Sequence, residues 1–232
     1  MDLATVYQRG GLMDNSLEWL KLGVNRLEEI PSQSLRNLSR LRQLDLRGNN
    51  ISKVREDDFM PYGKNLKFIY LQNNWLLSID NIAFVYLDSL EWLHLQSNQL
   101  STFPYETYSP ILNTLQVFDI HDNPIHCDCK IAWLRDWVQN KGASVMKLSQ
   151  ETRCETPDDF QSMPLGTSPT TSSSASRRHP REPRSPLSPP PLARTVAPPL
   201  LTVEIYSYKK GRQRKTRFRN FENLFENLQQ KI

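Results

Sequence analysis

The chain has 232 residues, room for one domain and an appendage, with 8 glycines, 16 prolines and 3 cysteines. Its net charge of +4 combines two opposite parts: residues 1–166 hold 16 Lys/Arg against 21 Asp/Glu, net −5, and residues 167–232 hold 13 against 4, net +9. That asymmetry excludes specific nucleic-acid binding argued from overall basicity, and with no run approaching 18 apolar residues a transmembrane helix is excluded too.

Residues 1–16 open without the basic start and apolar run of a secretory leader, and without a cysteine. Two expectations stand for them. Either Leu3, Val6, Tyr7 and Leu12 supply a minimal N-terminal cap, or the chain is incomplete at this end.

From residue 17 a phrase recurs five times, beginning at Leu17, Leu41, Leu66, Leu90 and Leu115, with starts 24 or 25 residues apart. The phrases read LEWLKLGVNRL, LRQLDLRGNNI, LKFIYLQNNWL, LEWLHLQSNQL and LQVFDIHDNPI, all fitting L-x-x-L-x-L-x-x-N-x-L with Ile or Phe at some Leu positions. Alternation with period two marks a half-buried strand. One such strand cannot bury its apolar face alone, so each repeat needs stacked neighbours. The ninth position is Asn25, Asn49, Asn74, Asn98 and Asn123. Asn carries a donor and an acceptor, so a column of these side chains can satisfy the buried backbone groups of a sharp turn. The period and the register of Asn identify a leucine-rich-repeat solenoid over residues 17–125. The expected fold is α/β, a parallel concave sheet with an irregular convex side.

The second half of each repeat supplies the convex wall: Ile30, Leu35 and Leu38; Val54, Phe59 and Tyr62; Ile79, Phe84 and Leu87; Phe103, Tyr108 and Leu112. Prolines at 31, 61, 104 and 110 favour irregular or short helical crossings there.

Positions three, five and seven of each phrase fall on the concave face. They place Trp19, Lys21, Asp45, Arg47, Phe68, Tyr70, Gln72, Trp92, His94 and Asp119 on one surface. Aromatic and Arg side chains anchor binding hot spots, and the aromatics could alternatively stack on one another to stiffen the sheet. These ten residues are the candidate protein-binding site. His94 and Asp119 share a strand position on neighbouring coils, but no nucleophile motif accompanies them and no cofactor is implied. Two Asn-x-Ser sequons, at Asn37 and Asn50, are candidate glycosylation sites in a secreted protein, with Asn37 on the convex side favoured.

After the fifth phrase comes Asn123-Pro124-Ile125-His126-Cys127-Asp128-Cys129, then Ile131, Trp133, Leu134, Trp137 and Val138 at helical spacing, and Cys154 downstream. This segment, residues 126–166, resembles the cysteine-rich C-terminal cap of secreted and cell-surface leucine-rich-repeat proteins. The 24-residue repeat also resembles their extracellular class, and the phrasing is similar to secreted arthropod members. The resemblance implies a small helical cap, a Cys127–Cys154 disulfide, an extracellular or cell-surface location and a protein ligand or partner subunit. It also implies a fourth cysteine, which the sequence lacks, leaving Cys129 unpaired. A zinc site from His121, His126, Cys127, Asp128 and Cys129 is the competing reading, weakened by the one-residue gap between the cysteines.

Residues 167–203 are rich in Ser, Pro and Arg and are expected to be disordered. Residues 204–232 form a basic, weakly amphipathic tail: a lone strand within 200–208, a basic run from Lys209 to Arg219, and Phe218, Phe221, Leu224, Phe225 and Leu228 at helical spacing. The tail could contact an anionic polymer or membrane surface, or serve as a nuclear address in an intracellular adaptor, the alternative to the extracellular reading.

Overall fold

The computed structural model describes residues 17–140, 144–146 and 150–167 and, as backbone, 203–209 and 212–218. The expectations for residues 1–16, for most of 167–203 and for the apolar face beyond Phe218 lie outside the described residues.

Each repeat contributes one short strand: β1 (Trp19–Lys21), β2 (Gln43–Asp45), then after β3 (Lys53–Val54) come β4 (Phe68–Tyr70) and, past β5 (Ser78–Ile79), β6 (Trp92–His94) and β7 (Val117–Asp119). β1, β2, β4, β6 and β7 pair in parallel without a register shift, while β3 and β5 form a separate parallel pair. The central residue of each long-sheet strand is buried: Leu20, Leu44, Ile69, Leu93 and Phe118. Burying a side chain of this size is worth about 1.5–3 kcal/mol. Stacking therefore supplies what an isolated repeat lacks.

Every strand ends in the same turn. Val24, Gly48, Asn73, Ser97 and Asp122, at position eight of their repeats, all adopt a left-handed backbone with φ between 52° and 65°. The next residue is the ladder Asn. Asn49 donates through Nδ2 to the carbonyls of Leu22 (3.0 Å) and Leu46 (2.7 Å), and its Oδ1 accepts from the Leu27 amide (3.1 Å). Asn74, Asn98 and Asn123 repeat this set one coil further each time, serving the amides of Ile51, Leu76 and Leu100. Asn25 donates to the Leu22 and Gly23 carbonyls of its own coil.

Crossings on the convex side are short, with α1 (Ser32–Leu35) and α2 (Tyr105–Tyr108) the only α-helical turns among the described repeats. An aromatic spine runs beneath them: Phe59 to Phe84 (6.2 Å), Phe84 to Tyr108 (5.7 Å), Tyr108 to Trp133 (6.0 Å). Trp133 begins the cap. It belongs to α3 (Ala132–Asn140), which buries Leu134 and Val138 against the last coil, and its indole N–H donates to the Phe103 carbonyl at 2.8 Å. β8 (Ile125–His126) pairs in parallel with β9 (Cys154–Thr156), and Cys127 is bonded to Cys154 with their Cα atoms 5.6 Å apart. Cys129 is an exposed free thiol.

The tail departs from the lone strand the sequence suggested. β10 (Val203–Lys209) and β11 (Arg212–Phe218) pair antiparallel over seven residues, and β10 also pairs antiparallel with β1. The long sheet thus has seven strands in the order β11-β10-β1-β2-β4-β6-β7. Eight of the eleven residues of the basic run are strand, Lys209 in β10 and the seven of β11, because β10 offers the run a backbone ladder that a solitary segment would lack.

Candidate functional site

The parallel register lays the concave residues out in rows. Trp19, Gln43, Phe68, Trp92 and Val117 form one row; Lys21, Asp45, Tyr70, His94 and Asp119 form the next. Since neighbouring strands stand about 4.8 Å apart, adjacent rings in a row must touch. Phe68 and Trp92 meet edge to face at 5.0 Å, and Tyr70 stacks on the His94 ring at 5.0 Å with an interplanar angle of 8°. Trp92 also meets His94 at 6.4 Å, tying the rows together. These contacts leave Phe68 and Tyr70 half-buried; Trp19, beside Gln43, is half-buried as well, and Trp92 is the most open of the four at 36% exposure. The expected aromatic band is present, but it covers part of itself.

Asp45 requires a correction. Expected as an open contact residue, it is 1% exposed, because Arg47 grips its carboxylate with Nε (3.0 and 3.1 Å) and Nη2 (2.6 Å). The carboxylate also accepts from the Arg47 amide, and the fork keeps the Arg47 pKa above its usual value. Held this way, the guanidinium lies 5.7 Å from the Tyr70 ring centre. Burial, followed by the Asp45 charge, pushes the Tyr70 hydroxyl up. Asp45 is thus a positioning residue for Arg47, which remains exposed.

Toward the cap the face becomes polar. His121 Nδ1 lies 2.5 Å from Asp119 Oδ1, and His94 Nδ1 lies 3.9 Å from Asp119 Oδ2. Burial opposes ionisation of Asp119, but the two imidazoles outweigh it and hold the carboxyl below the ordinary range. His121 acts through a hydrogen bond; His94 is too distant for one and acts through longer-range attraction. The Nδ1 of His94 and the side-chain oxygens of Gln72 and Gln96 lie buried without a hydrogen-bond partner among the described residues. Such groups cost free energy until a partner supplies the missing bond.

Lys21 and Gln72 are half-buried members of the same surface. Of the two sequons, Asn50 is exposed and Asn37 half-buried. One surface escaped the sequence reading. Trp75 and Leu77 are 60% and 65% exposed on the same flank, one coil beyond Asn50. The signal was available: position ten, a variable position of the template, and position twelve, one residue past its end, continue the period-two alternation and face away from buried Leu76.

A cavity near the first two coils, lined by Glu29, Ser32, Ser34, Arg55, Asp57 and Asp58, measures about 100 Å³, well below the roughly 300 Å³ at which ligand pockets begin. Cys127, one of the zinc-ligand candidates, is committed to its disulfide, and no group of three His, Cys, Asp or Glu among the described residues is arranged to hold a metal ion.

Residues 15–63 and 64–125 match the family model described as Leucine rich repeat. Toll-like receptor 9 of Mus musculus is 30% identical over 149 residues, covering 64% of this chain and 14% of the receptor. Chondroadherin of Rattus norvegicus is 27% identical over 136 residues, 53% of this chain and 35% of its own. Transforming growth factor beta activator LRRC33 of Danio rerio is 31% identical over 137 residues, 59% of this chain and 19% of its own. The chain therefore spans about a third or less of the length of each of these relatives.

Proposed function

Over residues 15–125 the chain belongs to the leucine-rich-repeat family, and from that premise we propose that it is a non-enzymatic module that binds a protein partner on its concave face in an extracellular setting. The observation that carries this reading is the composite surface around Trp92. An open indole, the stacked Tyr70–His94 pair and the clamped Arg47 lie on adjoining strands, beside three buried polar groups lacking partners. Aromatic rings and a rigid guanidinium provide contact area at low entropic cost. The half-buried His94, Gln72 and Gln96 side chains add polar character beside the rings. The extracellular part rests on the Cys127–Cys154 disulfide, a bond that persists in oxidising compartments, and on relatives whose names describe a receptor and a growth-factor activator.

The test is a binding screen of the chain against an array of secreted proteins and receptor ectodomains, repeated with two double variants. Trp92→Ala/Tyr70→Ala is expected to remove a captured partner, weakening it at least 100-fold if both rings are hot spots. Trp75→Ala/Leu77→Ala on the flank is expected to leave capture within about threefold. The opposite pattern moves the site to the flank and overturns the reading.

A further inference from the structure

The C-terminal hairpin occupies the outer edge of β1, at the opposite end of the repeats from the cap that precedes it in sequence. The outermost strand of a sheet offers unpaired N–H and C=O groups that recruit other strands. Among the described residues, β10 is the strand that covers this edge of β1. We propose that the β1 edge is a strand-acceptor site whose resident occupant is the chain's own segment 203–218, docked in cis to guard the first coil against association with other chains. This inference is independent of the concave-face reading.

Three observations carry it. First, the register matches in kind at every paired position. Glu204 stands opposite Lys21, Ile205 opposite Leu20 and Tyr206 opposite Trp19. Opposite charges and aromatic pairs are the favourable cross-strand combinations, and a slip of one residue would set Glu204 against a core position. Outward, Arg217 stands opposite Glu204, so acid and base alternate along the row Arg217, Glu204, Lys21, Asp45. Second, β11 ends the sheet with four cations in seven residues, Arg212, Arg214, Lys215 and Arg217. Charged edge strands are how proteins stop further strand addition. Residues 203–218 carry six Lys/Arg against one Glu, net +5, while the repeats and cap, residues 17–166, carry 15 against 19, net −4. Attraction therefore favours docking on this chain, and repulsion disfavours a second hairpin beyond β11.

Third, the reach fits. Thirty-five residues lie between Thr167 and Val203, and a chain of that length reaches at most about 115–125 Å. From β7 to β10 are five strand spacings, about 24 Å. The covalent tether is thus long enough to let the segment dock in cis, where its local concentration does not depend on that of other molecules. The attachment is also reversible in design: three register pairs join β10 to β1, against seven joining β10 to β11.

The test uses the full chain with Cys129→Ser, so that engineered thiols stand alone. Trp19→Cys/Tyr206→Cys should oxidise to an internal bond in most molecules, giving a cross-linked monomer. Trp19→Cys/Tyr208→Cys, two residues out of register, should yield at least fivefold less. Adding Glu204→Pro, which removes an amide that the register aims at Lys21, should cut the in-register yield by a similar factor. Cross-links between chains, or equal yields in and out of register, would overturn docking in cis. Separately, Glu204→Pro in the otherwise natural chain should speed hydrogen exchange of the Trp19 and Lys21 amides at least tenfold. It should also raise the mass seen by sedimentation as concentration increases, with the near-ultraviolet dichroism of the repeats unchanged. Freely exchanging β1 amides without any rise in mass would refute the guarding role.

Discussion

Replacing Asn74 by Leu removes one rung of the ladder while keeping side-chain size. Asn74 Nδ2 donates to the carbonyls of Leu46 (3.0 Å) and Leu71 (2.9 Å), and its Oδ1 accepts from the Ile51 amide (3.1 Å). The losses are unequal. Leu46 O keeps the bond from Asn49, and Leu71 O keeps the bond from Asn98. The Ile51 amide loses its acceptor, and Asn74 is buried too deeply for water to replace it readily. An orphaned buried donor costs about 1–3 kcal/mol and each lost bond to a still-paired carbonyl about 0.5–1.5 kcal/mol, which totals about 3–4 kcal/mol. With a urea slope of about 2 kcal/mol/M, the unfolding midpoint should fall by about 1.5–2 M. Tryptophan fluorescence and far-ultraviolet dichroism, followed together, measure the shift and test two-state behaviour. Asn50→Ala, at an exposed position one coil away, should stay within about 0.5 kcal/mol. An Asn74→Leu midpoint within 0.5 M (roughly 1 kcal/mol at that slope) of the natural chain would show that the ladder bonds contribute little net stability.

Val24 is a β-branched residue in the left-handed region at φ 57°, and it is 81% exposed; Val24→Asn should therefore stabilise the fold by about 1 kcal/mol, seen as a higher urea midpoint. Cys154→Ser opens a cross-link between residues 27 apart and should cost about 3–4 kcal/mol, while thiol counting on the denatured natural chain should find one reactive thiol, and three would contradict an oxidised cap. For Asp119 the folded pKa lies below its ordinary value, so its contribution is present above the unfolded pKa, about 4, and is lost as pH falls through the folded value. His121→Ala should accordingly flatten the loss of stability below about pH 4, and an unchanged acid limb would dissociate Asp119 from His121.

Much of the fold was legible because the repeat encodes it twice, once as alternation and once as Asn at position nine. Leu20, Leu44, Ile69 and Leu93 are buried where a period of two places them, and the ladder asparagines sit at their turns. The left-handed residue preceding each Asn was not legible. Val, Gly, Asn, Ser and Asp share that conformation without sharing chemistry, because the Asn and the strand ends impose it from either side. The concave rows could be read as positions but not as exposures. Asp45 looks available until Arg47, two residues on and just past the end of β2, closes over it. Trp75 fills a variable position of the template and Leu77 lies one residue past it, so neither counted toward the concave face. The docking of β10 on β1 brings residues about 185 apart into register, and no local pattern announces it.

The claim that most needs testing is that the partner sits on the concave face. A photo-reactive phenylalanine analogue placed at position 92 or position 75, in otherwise identical full-length chains, can be irradiated with a partner captured in the binding screen. The account predicts a covalent adduct from position 92 and none from position 75. An adduct from position 75 alone would move recognition to the flank beside Asn50 and contradict it.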